Sequence, residues 1–140
     1  MKIVIGFDGS PSARHALETA IELFRSSSPE VVLLGVIAPP TTSAPLKDTP
    51  YRTTLEEARQ DLKEAAEQIG EAGLSGEIRF VEGDPRQVLA EITEKEQPTI
   101  VVVGARGTTA IESILLGSVS TYAVKHLPVP VLVVPHPESR

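Results

Sequence analysis

The chain has 140 residues, of which 41% are hydrophobic and 23% charged, with a net charge of −6 and no cysteine. This length suits a single domain over residues 1–140, and the scattered basic residues argue against nucleic acid and anionic membranes as partners. The lack of cysteine excludes disulfides, thiolate nucleophiles and cysteine-based metal sites. Without a membrane-length apolar stretch or a secretory pattern at the amino end, we expect a cytoplasmic protein.

Five short runs predict β-strands. Four are rich in valine and isoleucine and show no alternation with polar residues, which is typical of strands buried on both faces of a parallel sheet. The third run, EIRFVE, mixes charged and apolar residues, so we expect it at a sheet edge. In chain order the runs cover residues 3–5, 31–37, 77–82, 100–103 and Val131–Val134.

Helical spacing of apolar residues between these strands predicts four helices. Each helix start carries residues that suit an N-cap or a first turn. In chain order, the helices begin at Ser10 with Pro11, at Thr53 or Thr54, at Asp84, and near Ser118, with the last running to His126.

The alternation of strand and helix predicts an α/β fold. We expect a single-domain, open, doubly wound, five-stranded parallel sheet of Rossmann-like type with helices on both faces. A strand order of 3-2-1-4-5 leaves the charged third strand at an edge and places the reversal of order between strands 1 and 4. The proline-rich connection 38–54 is interpreted as a flap near the ligand end of the sheet.

Two loops at this reversal form the candidate site, because ligands of open α/β sheets bind beyond the carboxyl ends of the strands there. Strand 1 ends in FDGS, which contains Asp8, and strand 4 leads into GARG, which contains Gly104, Arg106 and Gly107. Glycines allow main-chain N–H groups to approach an anion closely. We therefore predict a phosphorylated ligand held mainly by backbone amides.

The start of the fourth helix also favours an anion. Gly117 and Ser118 open this helix, whose first N–H groups and positive dipole end attract negative charge. The hydroxyls of Ser118 and Ser120 can donate further hydrogen bonds, and Arg106 supplies a positive charge within the loop.

The glycines and the serine that follows them have the spacing G-x2-G-x9-G-S, which resembles the nucleotide-binding signature of the universal stress protein family, ATP-binding type. The resemblance covers almost the whole chain and includes the segments KIVIGFDGS, GDP, LLGSVS and PVPVLVVP. It implies that Asp8 contacts the nucleoside and that the main chain of Val36 contacts adenine. It also implies a set of residues that hold ribose and phosphates: Gly104, Gly107, Gly117, Ser118, Val119 and Ser120.

Each of these residues also has a structural interpretation. The glycines would suit a tight strand-to-helix connection, and Asp8 would suit an Asx turn or a helix cap. The three histidines share no ligand spacing with a carboxylate, so we expect no dedicated metal site. A magnesium ion could still arrive with bound ATP, near Asp8 or Ser118.

The sequence favours a binding module over an enzyme. It contains no G-x-x-x-x-G-K-[ST] motif and no residue placed as a base for water, so we expect at most slow ATP hydrolysis or autophosphorylation. The leading hypothesis is an ATP, ADP or AMP sensor in stress response. The alternative is an adenylating enzyme related to ATP-pyrophosphatases, although FDGSPS poorly matches their S-G-G-x-D-S loop. A receiver domain is excluded, because Asp8 stands alone and no lysine follows strand 5.

A homodimer is expected through the fifth strand, Val131–Val134. In the predicted order this strand is an edge, yet it is apolar on both faces, and such an edge favours pairing with a second copy. The flanking prolines could instead protect the edge by themselves. Family members are typically dimeric through this strand, so the resemblance favours the dimer.

Overall fold

The computed structural model describes residues 1–37, 55–106 and 117–135. Its strands form one parallel five-stranded sheet with the order β3-β2-β1-β4-β5, which confirms the predicted fold and strand order. The strands are β1 (Lys2–Gly6), β2 (Glu30–Ile37), β3 (Ser75–Glu82), β4 (Ile100–Gly104) and β5 (Val131–Val134). β3 begins earlier than predicted, because Ser75 and Gly76 continue its ladder with β2.

Four helices connect the strands: α1 (Pro11–Phe24), α2 (Leu55–Glu71), α3 (Pro85–Glu96) and α4 (Ser118–His126). The predicted caps of α1 and α3 are confirmed, since Ser10 Oγ accepts from the Ala13 N–H at 3.1 Å and Asp84 Oδ1 from the Arg86 N–H at 2.9 Å. The proposed caps of α2, together with the connection 38–54, lie outside the described residues. A short 3₁₀ turn after α1, Arg25–Ser27, was not predicted.

The core consists of two apolar layers, one on each face of the sheet. Ile5 and Leu33 face α1 and α2, whereas Val4, Val32 and Val101 face α3 and α4. Because β1, β2 and β4 bury side chains on both faces, their central residues form continuous apolar runs. Over the described parts of the chain, the helices are too short or too polar to cross a membrane.

An ion cluster joins the edge strand β3 to β1 and α3. Glu96, at the end of α3, accepts from Lys2 Nζ at 3.0 Å and from Arg79 Nη2 at 3.1 Å, and Arg79 also pairs with Glu77. The Glu96 side chain is only 8% exposed. The hydrogen bond from Lys2, and then that from Arg79, holds the pKa of Glu96 below its ordinary value of 4.5.

Candidate functional site

The candidate site lies where the loops after β1 and β4 meet. The two strands are parallel neighbours, with Ile3 paired to Ile100 and Ile5 to Val102. Their carboxyl ends therefore lie side by side, at the point where the strand order reverses. A hydrogen bond ties the loop after β4 to the first turn of α1, since the Arg106 N–H donates to Ser12 Oγ at 3.3 Å.

The loop after β1 is a tight turn organised by Asp8. Its Oδ1 accepts from the Ser10 N–H at 2.9 Å, which makes an Asx turn, and its side chain is exposed. Gly9 adopts a φ of +79°, in the left-handed region that glycine tolerates best. The structural interpretation of Asp8 is thus confirmed, and it leaves the carboxylate at the surface beside α1.

Gly104 is required by packing between β4 and α1. A β-carbon at this position would lie 2.6 Å from Ser12 Oγ and 2.9 Å from the Ser12 carbonyl carbon and oxygen. Ser12 is itself buried, at 1% exposure. The sequence interpretation assigned Gly104 to close approach by a ligand, and the structure supplies a separate reason for glycine: the first turn of α1 occupies the space where a side chain would be.

The residue at the start of α4 is fixed to the end of β4 by one carbonyl group. The Gly117 N–H donates to the Ala105 oxygen at 2.6 Å. The Ser120 hydroxyl lies 3.0 Å from the same oxygen and 3.1 Å from the Gly117 oxygen, and Ser120 is 2% exposed. Its single hydrogen is therefore used within the protein, which differs from the expected role of this hydroxyl as a donor to a ligand.

The first turn of α4 has no side-chain cap. Its N-cap is Gly117, which has no side chain to accept a hydrogen bond from the N–H groups of the first turn. Ser118 is exposed at this end of the helix, while Val119 packs partly buried against the α3 face of the core. An anion at this end would accept hydrogen bonds from the N–H groups of the first turn, which the cap residue leaves unbonded. The positive end of the helix dipole would also attract it.

The remaining predicted site residues lie near these groups or outside the described chain. Val36, near the carboxyl end of β2, is partly buried and packs on the same core layer as Val119. Arg106 is partly buried in the loop after β4. Gly107 lies outside the described residues. Among the described residues, no cluster of three histidine, aspartate or glutamate side chains could hold a metal ion.

Sequence reasoning missed three residues around this site. Ser12 lies one turn before the buried Ala16, so its inward position could be inferred from helical spacing. Arg14 donates from Nη2 to Asp61 Oδ1 at 3.1 Å, across 47 residues of sequence. No local pattern in the sequence indicates that pair, because it depends on how α1 and α2 pack.

Comparison with known proteins gives consistent matches. The model of the universal stress protein family matches residues 1–135. The chain is 32% identical over 141 residues to Universal stress protein MJ0531 of Methanocaldococcus jannaschii, covering 98% of this chain and 83% of that protein. The solved structure of hypothetical protein MJ0577 superposes with a TM-score of 0.80 at 30% identity, covering 95% and 94% of the two chains. A universal stress protein solved in complex with cAMP superposes with a TM-score of 0.73 at 26% identity, covering 97% of each.

Proposed function

This chain belongs to the universal stress protein family, and we propose that it is a stress-response protein that binds an adenine nucleotide at the carboxyl ends of β1 and β4. The observation that carries the proposal is the first turn of α4, which begins at a glycine N-cap without a side-chain acceptor. This turn is joined through Ala105 to the end of β4. The complex of a 26% identical relative with cAMP supports an adenine nucleotide as the ligand class.

The described residues suit the two ends of such a ligand. The N–H groups of Ser118, Val119 and Ser120 would bind a phosphate at the mouth of α4, together with the exposed Ser118 hydroxyl. In the hydrogen bonding of the described residues, Asp8 uses only Oδ1, so Oδ2 can accept from a ribose hydroxyl or an adenine amino group. We propose that the main chain near Val36 contacts the base and that Gly104, Arg106, Gly107 and Gly117 complete the phosphate loop.

We propose ATP, ADP or AMP as the ligand, with magnesium brought in by the polyphosphate rather than by a protein site. The sequence offers no residue that we can place as a base for water, so we propose that binding itself is the signal, changing a partner or the assembly of the protein. Enzymatic activity would be recognised by its products. Adenylation would release pyrophosphate, and hydrolysis would give ADP and inorganic phosphate.

Isothermal titration calorimetry with ATP, AMP and cAMP, each with and without magnesium, tests the proposal. At 100 times its dissociation constant, a ligand stabilises the native state by about 2.7 kcal/mol, which raises the unfolding midpoint of a chain this long by roughly 9 °C. Ser118→Ala should weaken binding without loss of stability, whereas Ser26→Ala, an exposed serine after α1, should bind normally. Flat titrations with no shift in midpoint would refute the proposal, and pyrophosphate release would favour the enzyme.

We also propose a homodimer through β5. This strand pairs only with β4 in the described sheet, and Val131, Leu132 and Val133 are partly exposed along it. Sedimentation analysis of Val133→Lys tests the pairing. The matched control is Ile78→Lys on the opposite edge, where Ile78 is 41% exposed. A dimer lost only in the β5 variant supports the proposal, and a monomeric wild type contradicts it.

A further inference from the structure

Arg14 contacts three separate parts of the protein around the Asp8 turn. Its Nε donates to the Gly9 carbonyl oxygen at 3.2 Å, and its Nη2 donates to Asp61 Oδ1 at 3.1 Å. Its guanidinium carbon also lies 5.7 Å from the centroid of the Phe7 ring, within the range of a cation–π contact. One side chain of α1 thus holds both residues that flank Asp8 and connects them to α2.

Asp61 fits closely against the same turn. A β-carbon on Gly9 would lie 2.6 Å from Asp61 Oδ2, so the carboxylate approaches the turn on the side that glycine leaves open. One oxygen of Asp61 therefore faces Arg14 and the other faces Gly9. The Arg14 and Asp61 side chains are 46% and 25% exposed. An ion pair this exposed adds little to global stability, so its contacts act mainly on the local order of the turn.

We propose that Arg14 and Asp61 are positioning residues for nucleotide binding, which hold the Asp8 turn in its binding conformation by joining Gly9 and Phe7 to α2. The inference rests on the proposed function, because Asp8 is the group it presents to the ligand. Its physical basis is preorganisation. A turn already held in place loses less conformational freedom when the ligand binds, and affinity rises without any new contact to the ligand.

The geometry makes the arginine specific. Its planar guanidinium donates from Nε and Nη2 in two fixed directions, toward Gly9 and Asp61. A lysine would keep the positive charge but present a single ammonium group, which cannot reproduce both bonds and the contact with Phe7. Arg14→Lys is therefore expected to behave like Arg14→Ala.

The test measures two quantities in the same variants, the affinity for ATP and the order of the Asp8 turn. Arg14→Ala and Asp61→Ala should each weaken ATP binding by about 1.4- to fivefold, the range to which the energies of exposed ion pairs convert. The double variant should be weakened by less than the product of the two single effects, because Asp61 acts on the turn partly through its bond to Arg14. The matched control is Arg59→Ala, since Arg59 lies 5.7 Å from the Phe80 ring on a different part of the surface. Affinities of the Arg14 and Asp61 variants equal to that of the control would overturn the inference.

Amide hydrogen exchange without nucleotide separates this inference from the proposed function. The Ser10 N–H, bonded to Asp8 Oδ1 at 2.9 Å, should exchange faster in Arg14→Ala than in the wild type or in Arg59→Ala. If the wild type binds no nucleotide, the proposed function fails, and the exchange rates alone decide whether Arg14 orders the turn. Equal exchange rates in all three proteins would overturn the positioning role even if ATP binds.

Discussion

Gly104→Ala should destabilise the protein even in the absence of any ligand. The new β-carbon would lie 2.9 Å from the Ser12 carbonyl atoms, and ordinary van der Waals contact begins at 3.4 Å. The first turn of α1 would thus have to move by the difference, 0.5 Å. Because this turn is backbone in a packed interface, we expect about 1–3 kcal/mol of destabilisation, comparable to other overpacked cores. For 140 residues, that corresponds to a midpoint lower by roughly 3–10 °C.

Gly70→Ala is the matched control. Gly70 lies in α2, and a β-carbon there would contact nothing within 4 Å. Both substitutions make the unfolded chain less flexible, which favours alanine by about 0.4–1 kcal/mol. The difference between the two variants therefore measures mainly the steric effect, together with the different preference of alanine for a helix and for a strand end.

Urea unfolding and scanning calorimetry, both without nucleotide, give this difference. Adding Ser12→Ala to Gly104→Ala should restore only part of the stability, because it removes the 2.6 Å contact with Oγ but leaves both 2.9 Å contacts with the backbone. If Gly104→Ala proves as stable as Gly70→Ala, the packing explanation is refuted.

Two further variants test the ion cluster and a helix cap. The pKa of Glu96 lies below its ordinary value of 4.5, owing first to Lys2 and then to Arg79, so its stabilising effect is complete above that value and is lost as pH falls through the lowered pKa. Glu96→Gln should therefore lower the free energy of unfolding at neutral pH, and its free energy should converge with that of the wild type in acid. Urea unfolding at a series of pH values measures both free energies, and a constant difference between them across pH would contradict the prediction. Ser10→Ala should remove the 3.1 Å bond to the Ala13 N–H and about 1 kcal/mol of stability, measured by the same titration at pH 7; an unchanged midpoint would show that the cap contributes nothing.

The sheet could be predicted because its central strands are buried on both faces. Val4 and Ile5 point to opposite layers and both are fully buried. Such strands appear in the sequence as runs of consecutive apolar residues, which can be recognised without knowing what they pack against. The charged pattern of β3 likewise indicated an edge. Its ion pairs could not be predicted, because Lys2, Arg79 and Glu96 come from three separate elements that meet only in the folded chain.

The sequence predicted that the loops after β1 and β4 would be neighbours, but not the contacts that their residues make. Topology alone placed Asp8 and Gly104 at adjacent strand ends. The contacts of individual residues could not be inferred from the sequence. Gly104 packs against Ser12, and the Ser120 hydroxyl is directed at main-chain oxygens, although both residues were expected to contact a ligand. Local sequence shows which residues a loop contains, whereas the direction of each side chain depends on neighbours that are distant in the chain.

The hydrogen bond between Gly117 and Ala105 also affects how well the protein should tolerate a longer connection between β4 and α4. The oxygen of Ala105 accepts from the Gly117 N–H at 2.6 Å and lies 3.0 Å from the Ser120 hydroxyl, so one carbonyl group fixes the start of α4 beside the end of β4. Each doubling of a connection's length adds only about 0.6 kcal/mol of closure entropy. Lengthening the connection between these two residues should therefore cost little stability, because the bond that fixes the start of α4 lies outside the added segment.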